Sequence, residues 1–159
     1  MPRTDPLLVG VVSDTHGLLR PELLTALAGC AHILHAGDVG DAVLLARLRA
    51  LAPLTAVRGN TDTGAWALRL PETAFPSFGL ARLVMIHDVH ALRCDPAHDR
   101  LAAVVSGHSH VPRNETLGGV LYFNPGSAGP RRFDRPVTLG RLHIVGRRVQ
   151  GEIVHLRAR

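Results

Sequence analysis

The chain has 159 residues, 46% of them hydrophobic and only 4% aromatic, enough to bury one sizeable core made mostly of Leu, Val, Ile and Ala. Its formal charge is +5, but all 18 basic residues are Arg, placed singly or in pairs; this excludes a basic nucleic-acid-binding run and leaves a general attraction for anionic substrates. Cys30 and Cys94 have neither metal-ligand nor redox spacing, no apolar run approaches membrane-spanning length, and no hydrophobic signal segment opens the chain, so one cytoplasmic domain over residues 1–159, with no membrane partner, is expected.

Leu7–Val12 is a short apolar run rich in β-branched residues, the pattern of a strand covered on both faces. It stops at Ser13 and presents Asp14 and His16, which extended backbone would point the same way. Pro21-Glu22 opens a helix whose apolar stripe runs to Ala28 and closes on Gly29. Ala31–Leu34 is the next strand and leads into His-Ala-Gly-Asp. Asp41 then caps a helix with its stripe at Leu44, Leu45, Leu48 and Leu51. Pro53 breaks it, and Leu54–Val57 makes a third strand that runs into Arg58-Gly-Asn-Thr-Asp62. Strand and helix alternate, which predicts parallel pairing.

The second half is richer in strands. Leu83–Ile86 runs into His87-Asp88, Asp95-Pro96 starts a short helix, Ala102–Val105 runs into Gly-His-Ser-His, and Val120–Phe123 runs into Asn124-Pro-Gly-Ser127. Val137–Val145 and Val149–Leu156 flank a Gly-Arg-Arg turn and read as a hairpin. An α/β half followed by a β-rich half predicts two sheets face to face with helices outside.

Five of these strand ends carry metal-type ligands: Asp14 and His16, Asp38, Asn60, His87, then His108 and His110. In open α/β sheets the carboxyl ends of strands form the binding crevice, so five ends can converge on one site. Seven ligands exceed what one tetrahedral ion takes and suit two ions that share a carboxylate. The all-N/O set disfavours copper(I) and fits Mn, Fe, Zn or Co. Gly17, Gly37, Gly59 and Gly107 flank these ligands and let backbone approach closely.

In this order, Asp14-x-His16, Gly37-Asp38, Gly59-Asn60, His87 and Gly107-His-Ser-His110 resemble the five-motif signature of the calcineurin-like metallophosphoesterases. The short spacing is most similar to the small prokaryotic phosphodiesterase branch. The resemblance implies a four-layer αββα sandwich of two mostly mixed β-sheets with outer helices. It implies one metal on Asp14, His16, Asp38 and His110, and a second on Asp38, Asn60, His87 and His108, with Asp38 bridging and with Asp38, Asn60 and His108 as catalytic residues. Two divalent transition-metal ions are implied, Mn first, with Fe, Zn, Co or Ni as alternatives. Two cations about 3.5–4 Å apart hold a shared hydroxide and neutralise phosphate oxygens as charge develops. The expected substrate is a phosphoester, a small molecule or a nucleotide, hydrolysed as a diester; a phosphomonoesterase and a non-catalytic metal-binding scaffold are the rivals, and a homo-oligomer is left open. All seven ligands are present, which argues against a scaffold.

Two departures stand out. The family's His-Gly-His is His87-Asp88-Val89-His90 here, and the histidine that follows Gly-Asn in many larger relatives is Thr61. Asn60 and His87 are also close in sequence, so the expected site is open, with little room for a cap. Elsewhere, His32, His98, His143 and His155 read as surface or loop histidines. His35 reads equally as support for the site or as core, and Arg131 and Arg132 equally as a solvated pair or a phosphate grip. Gly126 and Ser127 read as a backbone turn near the site.

Overall fold

The computed structural model describes residues 5–132 and 134–157. Two mixed sheets lie face to face. The first joins β1 (Leu7–Val12), β2 (His32–His35), β3 (Leu54–Ala56), β10 (Thr138–Val145) and β11 (Arg148–His155) in the order β11-β10-β1-β2-β3. The second joins β4 (Thr73–Ala74), β6 (Ala81–Ile86), β7 (Ala103–Val105), β9 (Val120–Asn124) and β8 (Arg113–Leu117) in the order β4-β6-β7-β9-β8, and β5 (Ser77–Phe78) pairs with β6. Strands β1, β2 and β3 run parallel, as do β6, β7 and β9. Strands β10, β4 and β8 pair antiparallel with their parallel neighbours.

Alternation along each strand sorts its side chains between layers. Val9 and Val11 of β1, Leu34 of β2, Leu83 and Met85 of β6, and Phe123 of β9 fill the space between the sheets. Val12, Ile33 and Leu139 point the other way, onto Leu23 and Leu27 of α1 (Pro21–Leu27) and Leu44, Leu45 and Leu48 of α2 (Ala42–Arg49). Burial on both faces is why these strands read as unbroken apolar runs. Gly10 allows α1 to sit close, since a Cβ there would run into the Leu27 and Cys30 side chains. The outer face of the second sheet packs Val84, Val104 and Val120 under Val89, Leu92 and Leu101.

The hairpin, the first three strands and both helices lie within a residue or two of the expected bounds, with α2 capped by the Asp41 side chain accepting from Leu44 N–H at 2.8 Å. The helix expected at Asp95-Pro96 is a single turn instead. The Asp95 carboxylate accepts the His98 N–H and its carbonyl accepts the Asp99 N–H, but Arg100 then takes a left-handed conformation at φ 57° and stops propagation. Strands β4, β5 and β8 and the one-turn α3 (Ala65–Leu68) carry no apolar period; β8, Arg-Asn-Glu-Thr-Leu, is a largely exposed edge. Polar side chains on an edge strand are what an unpaired edge needs. Among the described residues, no helix is long and apolar enough to cross a membrane.

Candidate metal centre

The carboxyl ends of β1, β2, β3, β6 and β7 come together on one rim and bring all seven predicted side chains into one cluster. His110 Nε2 lies 3.3 Å from Asp14 Oδ1, and His16 Nε2 lies 3.8 Å from Asp38 Oδ2. On the other side, His87 Nε2 is 3.3 Å from Asp38 Oδ2 and 3.0 Å from Asn60 Oδ1, and His108 Nδ1 is 3.1 Å from the same Asn60 oxygen. The four imidazoles form two touching pairs, His16 with His110 and His87 with His108, their centroids 5.6 Å and 5.2 Å apart. Donors around one ion at about 2.1 Å lie about 3.0–3.4 Å from each other in octahedral or tetrahedral sites, so most of these separations suit a shared cation.

Each carboxylate is held by one oxygen and offers the other. Asp14 Oδ2 accepts from Ser13 Oγ at 2.7 Å and from the His108 N–H at 3.1 Å. Asp38 Oδ1 accepts the Thr61 N–H at 2.9 Å, while Oδ2 faces His16 and His87. Asp14 Oδ1 and His16 Nε2 are buried with no hydrogen-bond partner among the described residues. A buried anionic oxygen without a partner is costly, and a cation beside it removes the cost. Asp14, His16 and His110, and separately Asp14, Asp38 and His87, bring donor atoms within 4.8 Å of one another. The residues therefore fit metal ions.

Electrostatics follow from that crowding. Burial would raise the Asp38 carboxyl, but hydrogen bonds from His87 and the Thr61 N–H, with the charge on His87, hold it well below the usual carboxylate range. Burial would lower His87; the Asp38 hydrogen bond, the Asp14 charge and the Ala36 carbonyl overcome it and raise the imidazole. That carbonyl lies 2.7 Å from Nδ1 and accepts its proton, which leaves Nε2 as the ligand atom. Protons and a metal ion compete for Nε2, so binding weakens with acid. His110 is lowered by burial first; Asp14 opposes this, and Arg132, His16 and Arg135 add to it. Arg131 and Arg132 are exposed, and the Arg131 side chain donates to the Arg135 carbonyl at 3.4 Å.

The backbone at the site is not the extended chain expected for Asp14-x-His16. Both residues are left-handed, at φ 57° and 46°, as are Asp38 (55°), His108 (72°) and His110 (62°). Among the described residues these are five of the six non-glycine positions with positive φ. Asp14 and His16 converge through a tight reversal rather than through strand alternation. Such conformations cost of order 1 kcal/mol each and persist only where the surroundings over-determine them.

The surroundings do so with residues that carried no signal as ligands. Asp62, buried, accepts the N–H groups of Val39, Gly40 and Gly59, which ties the loop after β2 to the loop after β3. Asn124 donates to the Gly107 carbonyl and to Ser109 Oγ, and Ser127 Oγ donates to the Asp14 carbonyl. The Asn-Pro-Gly-Ser turn is thus a buried brace behind the ligands. At Gly59 a Cβ would collide with the Asp38 backbone N and Oδ1, and at Gly107 with Ser13 Oγ and Asp14 Oδ2. These glycines supply room more than flexibility.

His35 supports the site. It is fully buried; Nδ1 accepts the Gly37 N–H at 3.1 Å, so Nε2 donates to Thr15 Oγ1 at 2.9 Å, and Thr15 in turn donates to the Val39 carbonyl at 2.8 Å. Burial is the main cause that pushes its pKa down to about 3; the His87 and His16 charges act the same way and Asp38 opposes. The folded value lies below the unfolded 6.5, so the unfolded chain takes up this proton first. The stabilisation is full above pH 6.5 and fades as pH falls toward about 3, by about 1.4 kcal/mol per unit. His35→Gln in chelator should flatten the acid limb of unfolding free energy by about that slope between pH 6.5 and 4.5. Urea titrations at both pH values check this; an unchanged slope would mean that His35 charges in the folded state.

The other singled-out histidines lie apart from the cluster. His32 is partly buried, with Nε2 2.8 Å from Thr55 Oγ1, and His98, His143 and His155 are exposed.

The profile of the calcineurin-like phosphoesterase superfamily domain matches residues 7–147. A probable metallophosphoesterase of Methanothermobacter thermautotrophicus is 31% identical over 160 residues, covering 93% of this chain and 92% of the relative. The structure of vacuolar protein sorting 29 from Cryptosporidium parvum superposes with a TM-score of 0.82 at 20% identity, over 96% of this chain and 92% of that one. A structure described as a novel archaeal phosphodiesterase superposes at 0.72 with 18% identity, over 93% and 100%. These two share the fold. With a profile match over most of its length and a full-length relative above 30% identity, this chain belongs to the calcineurin-like phosphoesterase superfamily.

Proposed function

We propose that this protein is a two-metal phosphodiesterase. Asp14, His16, Asp38 and His110 would hold one ion, and Asp38, Asn60, His87 and His108 the other, Mn being the first choice. The observation that carries the reading is Asp38 Oδ2, set between His16 and His87 while the other oxygen is tied to backbone. When bound, the ions would supply the positive charge that activates water and neutralises the phosphate oxygens. The chain's own residues fix the ligands: His87 by its bond to the Ala36 carbonyl, Asp14 by Ser13 and the His108 N–H. Asn60 contributes a neutral oxygen, which limits negative charge around an anionic substrate.

A diester is favoured because the 61–86 segment adds only a one-turn helix and short edge strands plus β6, with no cap over the rim; the likeness to an archaeal phosphodiesterase supports the same choice. The cysteines are free, which suits a cytoplasmic setting. The test is the Mn-loaded protein on matched aryl mono- and diesters: the diester should be hydrolysed with the higher kcat/KM, and a reversed order would make it a monoesterase.

Asp88, in place of the family glycine, stays outside the ligand set in this reading. It is extended, at φ −105° and ψ 113°, and its Oδ1 accepts the His90 N–H at 3.0 Å, capping a single turn at Val89–Ala91. Asp88→Gly should therefore keep both metal equivalents by elemental analysis, with a stability loss of only a few tenths of a kcal/mol, about 0.3, from the missing cap. Loss of one equivalent would make Asp88 a ligand.

A further inference from the structure

Arg82, Arg100 and Arg147 meet around one cavity of about 310 Å³, with Leu80 and Ala102 completing its lining. They come from three separate segments: Arg82 from β6, Arg100 from the turn before β7, and Arg147 from the tip of the β10–β11 hairpin. Arg82 and Ala102 stand at the amino-terminal ends of the paired strands β6 and β7, whereas His87 and His108 follow their carboxyl ends. The rise of a strand puts the two places roughly 15 Å apart, so this cavity is separate from the metal centre.

Arginine is a costly choice at position 100. The Leu101 N–H donates to the Pro96 carbonyl at 2.9 Å and the Arg100 N–H to the Ala97 carbonyl at 3.2 Å, the pair of bonds that ends a helical turn on a left-handed residue. Glycine favours that position, because a Cβ crowds the backbone there. Arg100 holds it at φ 57°, and among the described residues it is the non-glycine residue of positive φ that lies outside the metal centre. Strain of this kind gathers at functional sites. What arginine adds over glycine is its side chain, and that side chain lines the cavity.

Nothing in the lining offsets the charge. It holds no Asp or Glu, and the arginines in ion pairs among the described residues are Arg58, Arg113 and Arg141. Asp99, the acid beside Arg100 in sequence, pairs with His98 at 3.2 Å. Three like charges around one cavity repel one another, and a bound anion turns that repulsion into attraction. Guanidiniums grip phosphate oxygens through paired N–H groups. The volume lies within the usual range of about 300–1,000 Å³ for small-molecule sites. A single phosphate carries at most about two charges near neutral pH, too few to balance three guanidiniums; a diphosphate matches them.

We propose that this cavity binds a diphosphate group, either free or carried by a small molecule. The site is independent of the catalysis argued above.

The test is calorimetric titration of the Mn-loaded full chain with pyrophosphate, repeated on the chelated chain to separate any pyrophosphate taken by the metal centre. One saturable equivalent should bind in both, with orthophosphate at least roughly 10-fold weaker. Arg100→Gly puts in the residue that the turn favours, so the fold is kept while the guanidinium is lost. Arg82→Gln and Arg147→Gln remove the other two charges at similar size. Each should weaken pyrophosphate roughly 10-fold or more, the order that a hydrogen bond to a charged group carries. Arg49→Gln, at an exposed position on α2, should leave it unchanged. ADP distinguishes the sources: tighter binding than pyrophosphate assigns a nucleoside diphosphate, and equal or weaker binding assigns the free ion. Binding that needs the metal, that survives all three arginine variants, or that is as tight for orthophosphate as for pyrophosphate overturns the site.

Discussion

Asp38→Asn is expected to abolish detectable phosphoester hydrolysis. Asp38 Oδ2 faces His16 on one side and His87 on the other, while Oδ1 is held by the Thr61 N–H. An amide at this position keeps the shape but removes the anionic charge, and it either turns an NH₂ toward the imidazoles or gives up the tether. Both candidate ions lose a ligand at once. Metal stabilisation of transition-state charge is worth several kcal/mol, so a fall of about 10³-fold or more is expected. Steady-state assays across a range of Mn concentrations check it. Restoration at high metal would show that only affinity was lost; activity within 10-fold of wild type would remove Asp38 from the centre of the site.

A steep dependence on leaving-group pKa is the second large effect. Thr61, in place of the histidine of many larger relatives, cannot act as an acid near neutral pH, and its backbone N–H is engaged with Asp38 Oδ1 at 2.9 Å. His35 is ruled out as the acid, since it is fully buried with both ring nitrogens engaged. His90 remains: it is exposed, and it lines a depression shared with Asp88 and His108. General-acid assistance is worth about 10²–10⁴-fold and matters most for poor leaving groups. Log kcat/KM over a series of aryl diesters, with chemistry limiting, should therefore fall steeply as leaving-group pKa rises, and alkyl diesters should be poor substrates. A flat plot would mean that an efficient acid is in place, and His90→Ala would then steepen it.

The sheets, and which polar side chains gather on one rim, were legible because the two-sided burial of β1, β2, β6 and β7 leaves short apolar runs that end abruptly in polar residues. A family pattern then ordered those ends. Conformation was not legible. Asp14-x-His16 implied strand alternation, whereas both residues are left-handed, because the reversal is imposed from outside. Ala128 donates to the Ser13 carbonyl, Asp14 N–H to the Gly37 carbonyl and His16 N–H to the Asp38 carbonyl. The bracing residues were equally silent. Asp62 was visible only as the end of Arg-Gly-Asn-Thr-Asp, and nothing local signals that its carboxylate gathers three N–H groups from two loops. Long-range hydrogen bonds to backbone leave no sequence period.

The fold is also that of vacuolar protein sorting 29, so architecture by itself does not assign catalysis. The proposed catalysis rests on the donor set, and its direct test is metal titration of stripped protein. Chelated, gel-filtered protein is titrated with Mn while bound metal and hydrolysis of bis(4-nitrophenyl) phosphate are followed on the same samples. Stripped protein should be inactive, and activity should rise to a plateau at two bound equivalents per chain. Full activity in the chelated, metal-free protein, or a plateau reached at one equivalent, would contradict the two-metal account.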